Sequence, residues 1–174
     1  PGVEAVESHE VHSHEELLKL FNEVVDRGGE GLIAKPRFGR YEPKKSPYWL
    51  KLKEEATYDL QVLRLEEGLN DIAGMMGAAI CDFKGVEVKV GGGWSLAERA
   101  QWWADWTGSN CAYLMVDPES ELERVTICQP TGRPVPDRVI EVLCNGVTEA
   151  GSLRHPRHVK ERRDLRPEEV EGNK

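Results

Sequence analysis

The sequence predicts an α+β chain in two parts: a helix-and-strand segment over residues 1–55, then a small antiparallel β-barrel over 58–166. Three observations carry this. Residues 17–25 repeat apolar side chains at helical spacing and stop at Gly28-Gly29. Two short strands flank a loop over 36–47 that holds three prolines and Gly39. From Tyr58 the texture changes to short apolar runs separated by Gly-rich turns, with one helix among them.

Taken in order, Ser13-His14-Glu15-Glu16 reads as a capping box, with Ser13 at the helix start and Glu16 three residues on. Leu17, Leu20, Phe21, Val24 and Val25 form the apolar stripe, and Gly28-Gly29 ends it. Glu30 to Lys35 is a short strand limited by Pro36. Tyr48 to Lys53 alternates as a second strand, and residues 54–57 form a polar linker. Tyr58 to Leu65, Met75 to Phe83 and Val86 to Val90 are three further strands. Ser95 caps a helix running to about Trp106, and 112–128 and 138–144 supply more strands. Short strands around one helix fit a Greek-key barrel of the OB type. Pro167 to Lys174 is expected to be a flexible tail.

The 174 residues suffice for two small domains, and 39% hydrophobic residues for packed cores. Cys81, Cys111, Cys128 and Cys144 form no C-x-x-C pair, so reduced thiols in a cytoplasmic protein are expected rather than a zinc site. No stretch has the length of a membrane span, and no signal-peptide pattern is present; no membrane partner is expected. The sequence starts at Pro1 without a methionine, so it is read as a fragment, a processed product or an engineered piece.

The net charge of −8 speaks against a surface that binds nucleic acid all over. The charge is uneven, however. Residues 37–53 hold Arg37, Arg40, Lys44, Lys45, Lys51 and Lys53 against Glu42 alone. Residues 151–166 hold Arg154, Arg157, Lys160, Arg162, Arg163 and Arg166 against Glu161 and Asp164. Two basic segments in an acidic body fit a focused anion site; mutual neutralisation across the surface fits as well.

Lys51 and Lys53 are the most informative pair. Side chains two apart on a strand share a face, so Trp49, Lys51 and Lys53 point one way and Leu50 and Leu52 are expected to be buried behind them. Two ammonium groups on one face repel unless an anion lies between them, and phosphate suits that place. Lysines guarding an exposed edge strand account for the same spacing. Glu30, just after the Gly-Gly turn, is placed to hold Mg²⁺ beside a phosphate, or is a solvated carboxylate. Lys35 falls on the strand face opposite Glu30. His9, His12 and His14 straddle an extended segment and a helix cap, share no face, and are read as solvated rather than metal-binding. Trp102 and Trp106, four apart, are expected to pack on the barrel, with base stacking by the tryptophans as the alternative. Gly151 to Arg157 is a turn leading into a basic tail whose arginines suit phosphate.

These pieces in this order resemble the ATP-dependent DNA ligases, especially the small two-domain bacteriophage type. Glu30-Gly31-Leu32-Ile33-Ala34-Lys35 resembles motif IV of the covalent nucleotidyltransferases. Trp49-Leu50-Lys51-Leu52-Lys53 resembles motif V, and Gly151-Ser152-Leu153-Arg154-His155-Pro156-Arg157-His158-Val159 the run into motif VI. The resemblance implies the end of an adenylation domain followed by an OB domain. It gives Glu30 a divalent metal and gives Lys51 and Lys53 the α-phosphate of ATP, with Lys35 in the same pocket. Arg162-Arg163-Asp164 aligns with motif VI, whose Arg162 and Asp164 orient the β- and γ-phosphates. Leu165 stands where the motif has lysine, and Arg166 is the candidate substitute. Asp59 falls at the expected hinge. Arg37, Lys44, Lys45, Arg154 and Arg157 are candidate contacts to nicked duplex DNA.

The resemblance further implies ATP and Mg²⁺ as cofactors, a monomer, and three steps: adenylation of a lysine, transfer of AMP to a 5′-phosphate, and sealing by a 3′-hydroxyl. The family's nucleophile sits in a Lys-x-Asp-Gly motif, and the sequence contains no Asp-Gly pair. That adenylation segment is expected upstream of Pro1, in the same or a separate chain. An RNA ligase or capping guanylyltransferase fragment, or a non-catalytic OB module, are the alternatives.

Overall fold

A computed structural model of the chain describes residues 7–41, 43, 44, 46–116 and 123–170. The chain divides into two units, Pro1–Glu54 and Glu55–Lys174. In the first, α1 (His14–Asp26) starts where the Ser13 hydroxyl accepts the Glu16 N–H at 3.1 Å. The other half of the capping box differs from expectation: the Glu16 carboxylate takes the His12 N–H at 2.7 Å. Leu17, Leu20, Phe21, Val24 and Val25 are half-buried. Strands β1 (Gly31–Ala34) and β2 (Leu50–Lys53) pair antiparallel, with Gly31 opposite Lys53 and Ile33 opposite Lys51.

The second unit is built on β3 (Ala56–Glu67), a 12-residue strand. Its first half pairs with β8 (Val139–Cys144) and its second with β4 (Met76–Phe83). Bulges near Val62–Arg64 and Glu66–Glu67 let one strand serve two partners. With β5 (Val86–Val90) and β9 (Arg157–Glu161) the sheet runs β5-β4-β3-β8-β9, all antiparallel. Strands β6 (Cys111–Val116) and β7 (Glu123–Cys128) form a separate two-stranded sheet, and α2 (Leu96–Thr107) precedes them. The core gathers Leu60, Val62, Met76, Val88, Val90 and Ile140. No helix among the described residues is long and apolar enough to cross a membrane.

A single parallel bridge, Gly92 to Arg157, joins the segment after β5 to β9, and so links the two ends of the five-stranded sheet. The His158 N–H donates to the Gly92 carbonyl at 3.0 Å. A Cβ on Gly93 would lie 2.1 Å from the His158 carbonyl oxygen, and φ there is +87°, so only glycine permits this approach. The Trp94 indole stacks on the His158 ring, 3.6 Å between centroids and 5° between planes, and donates its N–H to the Val90 carbonyl. Beside this seam, α2 carries the full Ser95–Glu98 capping box and ends at left-handed Gly108. Arg99 donates to the carbonyls of Met76, Gly77 and Gly91. At the other end of α2 the Asp105 carboxylate meets the buried Arg138 guanidinium, which also lies over the Trp102 ring. Desolvation pushes the Asp105 carboxyl up, but the Thr131 N–H and Arg138 overrule it and hold its pKa below the usual value.

Several expectations are corrected here. The linker is shorter than 54–57, because β3 begins at Ala56. Asp59, expected near a hinge, lies inside β3, in register with Glu141. Trp102 is buried, whereas Trp106, next to the helix's last residue, Thr107, is 38% exposed. The basic tail after 151 is in part a strand, β9. Pro167–Glu169 form a 3-10 turn and Val170 is 1% exposed, so a flexible tail does not begin at Pro167; residues 171–174 lie outside the described residues.

His158 sits at the seam with 6% exposure, and neither ring nitrogen makes a hydrogen bond of ordinary geometry among the described residues. Burial holds its pKa below the usual imidazole value, with Glu98, the Gly93 backbone and Glu161 pulling weakly the other way. A lowered folded pKa means the unfolded chain binds the proton more readily, so stability is full above about pH 6.5 and falls as pH drops below it. Denaturant unfolding between pH 5 and 7.5 is expected to show this loss, and His158→Phe to flatten it; an unchanged slope in the variant refutes the assignment.

Candidate functional site

The site expected from the sequence lies on the β1–β2 ladder. Directly opposed residues in an antiparallel pair share a face, so Ile33–Lys51 and Gly31–Lys53 line one side. Lys35, just beyond β1, sets its ammonium 4.1 Å from the centre of the Trp49 ring, the residue that precedes Leu50. Three lysines therefore follow one strand pair. Neither Lys51 nor Lys53 makes an ion pair or a side-chain hydrogen bond among the described residues, and Lys53 is half-buried. Lys35, Arg37, Tyr41 and Trp49 border a hollow of about 750 Å³.

Gly31 fixes this geometry. Its φ is +131°, and a Cβ there would meet the Leu52 carbonyl oxygen at 2.1 Å. Such a φ breaks the two-residue alternation of a strand, so Glu30, immediately before β1, is not held to the face that regular pleating assigns. Glu30 is exposed and has interactions of its own. The expectation that Leu50 is buried is corrected: it is 60% exposed, while Leu52 is half-buried. α1 packs mainly on β1, and Leu50 opens β2 at the end of the ladder.

In the second unit Arg162 follows β9. Its guanidinium donates to both oxygens of Asp59 at 2.8 and 2.7 Å, and to both oxygens of Asp164 at 3.1 and 2.8 Å. Glu141 adds a third carboxylate at 3.8 Å. Hydrogen bonding from Arg162 draws the Asp164 carboxyl down to about 2, and the Asp164 bonds raise Arg162 in turn. Arg166 is exposed, 3.9 Å from Glu168. Arg157 reaches Glu55 at 3.4 Å, Arg37 pairs with Glu10, and Lys44 and Arg154 also have partners. Lys45 lies outside the described residues. His9 is paired with Glu7, and no cluster of three or more His, Cys, Asp or Glu gathers to hold a metal among the described residues.

Residues 67–162 match the DNA ligase OB-like domain, and residues 2–53 match the ATP dependent DNA ligase domain. The chain belongs to the ATP-dependent DNA ligase family. It is its C-terminal part, the end of the adenylation domain with the OB-like domain, as the three motifs implied. A DNA ligase of Haemophilus influenzae is 30% identical over 97 residues, which are 56% of this chain and 36% of that one. DNA ligase 1 of Methanosarcina acetivorans is 40% identical over 76 residues, 38% of this chain and 13% of its own. A Lig E DNA ligase structure shares the fold with a TM-score of 0.65 at 22% identity, over 88% of this chain and 48% of that one. The chain thus spans about a third of the Haemophilus ligase and about half of Lig E.

Sequence reasoning missed His158, Arg138 and Asp105. Arg138 and Asp105 sit in no recognisable motif, His158 lies in the run toward motif VI but was given no role, and the burial of all three depends on partners distant in sequence. The Arg162–Asp59 contact joins residues 103 apart, and no local signal announces it.

Gly31→Ala is expected to break the β1–β2 pairing, costing about 1–3 kcal/mol or more through the clash and the dihedral together. Amide hydrogen exchange should lose protection across both strands. Gly28→Ala, with φ +83° and nothing within 4 Å, should leave that protection intact; equal loss in both variants counts against the close approach as the cause.

Proposed function

We propose that this ligase-family chain works within an enzyme that seals nicks in duplex DNA, with the Lys51–Lys53 face holding the phosphoryl group in transfer. The supporting observation is the pair itself: two ammonium groups two residues apart on β2, on one face, without a carboxylate partner among the described residues. Their mutual repulsion is relieved by an anion placed between them. Adenylation, AMP transfer and sealing all move a phosphoryl group while charge spreads over its non-bridging oxygens, so fixed positive charge lowers each barrier. Lys35 adds a third cation along the same ladder.

Glu30 is the proposed ligand for Mg²⁺. That ion usually takes one or two protein carboxylates and completes its shell with phosphate and water oxygens, which suits a region where no richer cluster gathers among the described residues. When bound, it neutralises charge on the phosphoryl oxygens. The attacking lysine is proposed to come from an adenylation segment outside these 174 residues. Its amine must be unprotonated to attack ATP, and nearby Lys51 and Lys53 favour that form.

Arg162 and Asp164 are proposed to serve the β- and γ-phosphates as motif VI. The guanidinium is engaged by Asp59 and Asp164 here through Nε and both Nη atoms, so reading phosphates with its full fork requires it to exchange carboxylate oxygens for phosphate oxygens. Leu165 leaves the motif's last cation to Arg166. Arg154 and Arg157, with Arg37, Lys44 and Lys45, are proposed to contact the DNA backbone, which makes binding steeply salt-dependent.

In the complete protein, Lys51→Ala and Lys53→Ala are each expected to slow adenylation by about 10²–10³-fold, with unchanged circular dichroism. The unmodified complete protein should seal DNA nicks and fail on RNA-only substrates. Near-normal adenylation by both variants removes the phosphoryl role, and preference for RNA nicks turns the reading to an RNA ligase.

A further inference from the structure

Four cysteines occur in the second unit, and only one pair stands in register. Cys111 opens β6, Cys128 closes β7, and the two are directly opposite. Cys81 faces Val62 and Val88, and Cys144 faces Ala56. Opposed Cα atoms in an antiparallel pair are about 4.5–5.5 Å apart, inside the range of about 4.4–6.8 Å that a disulfide spans. Cys111 and Cys128 lie in one cluster against α2, and Cys128 adds to the upward push on the Cys111 thiol. Both are free thiols; Cys111 is buried, with its S–H toward the Gly74 carbonyl at 3.1 Å, and Cys128 is half-buried.

We infer that Cys111 and Cys128 are a site of reversible oxidation, closing to a cross-strand disulfide at the base of the β6–β7 hairpin when a peroxide reaches Cys128. The Cys128 thiol gives its proton to solvent, the thiolate attacks one peroxide oxygen, the O–O bond breaks, and a sulfenic acid forms while the departing hydroxide takes up a proton from solvent as water. The Cys111 thiolate then attacks the Cys128 sulfur. The S–O bond breaks, the S–S bond forms, and a second water leaves. The two thiols together lose two electrons and two protons, and the peroxide gains both. Burial raises both thiols above their usual pKa, with the neighbouring Cys128 adding to Cys111 and Asp105 to Cys128. The reaction is therefore slow at neutral pH and quickens toward pH 9. Cys81, fully buried with its thiol pushed up to about 12, stays inert.

The test is hydrogen peroxide treatment of the whole chain, followed by peptide mapping by mass spectrometry without reductant. The expected product is a Cys111–Cys128 linked peptide pair lacking two hydrogen atoms, reversed by a dithiol and formed faster at pH 9 than at pH 7. In Cys111→Ser the same treatment should drive Cys128 on to sulfinic acid. If that variant fails to fold, Cys128→Ser should leave Cys111 as the thiol, with no linked pair. Sulfinic acid at Cys128 in the unmodified sequence, links between separate chains, or no change under excess peroxide would each overturn the inference.

Discussion

The missing side chain at Gly31 is the constraint on which the first unit turns. Its backbone lies so close to the Leu52 carbonyl that a Cβ has no room, and that approach sets the register of β1 on β2. Register in turn decides which side chains share a face, because a slip of one residue sends every side chain to the other side. With Gly31 opposite Lys53 and Ile33 opposite Lys51, the two ammonium groups stand together, and Lys35 follows at the Trp49 ring. A residue with no side chain thus governs where three charges lie.

Closure is the corresponding constraint in the OB-like unit. Five antiparallel strands leave two edges, and a single bridge between Gly92 and Arg157 joins them. The seam depends on another glycine, Gly93, and on the flat stack of Trp94 on His158. Its hydrogen-bonding weakness is the pair of imidazole nitrogens that find no partner among the described residues, tolerable while the ring is neutral. The buried Asp105–Arg138 pair secures the far end of α2. Removing either partner would strand the other's charge, which is why such pairs are costly to break though modest in net gain.

Elements with strong local signals were legible in the sequence. The Ser13 and Ser95 caps, the Gly28 stop and the strand runs at Val86–Val90 and Met76–Phe83 all lie where spacing placed them. Strand β9 was hidden because its one buried side chain is a histidine, and exposed or half-buried residues surround it; the apolar alternation that betrays a strand is absent. The burial of Val170 and the pairing of Arg162 with Asp59 arise from contacts across the fold. Motif spacing singled out Lys51 and Lys53 on one short strand, whereas a position counted along the chain did not reveal that β3 has already begun by Asp59.

The central claim is that Lys51 and Lys53 share one phosphate. The most direct measurement is the NMR signal of the two lysine ammonium groups in the complete ligase during titration with ATP. Both signals should move together and saturate at a common ligand concentration, while an exposed lysine such as Lys19 on α1 stays unmoved. Movement of neither signal, or of all three alike, would contradict the account.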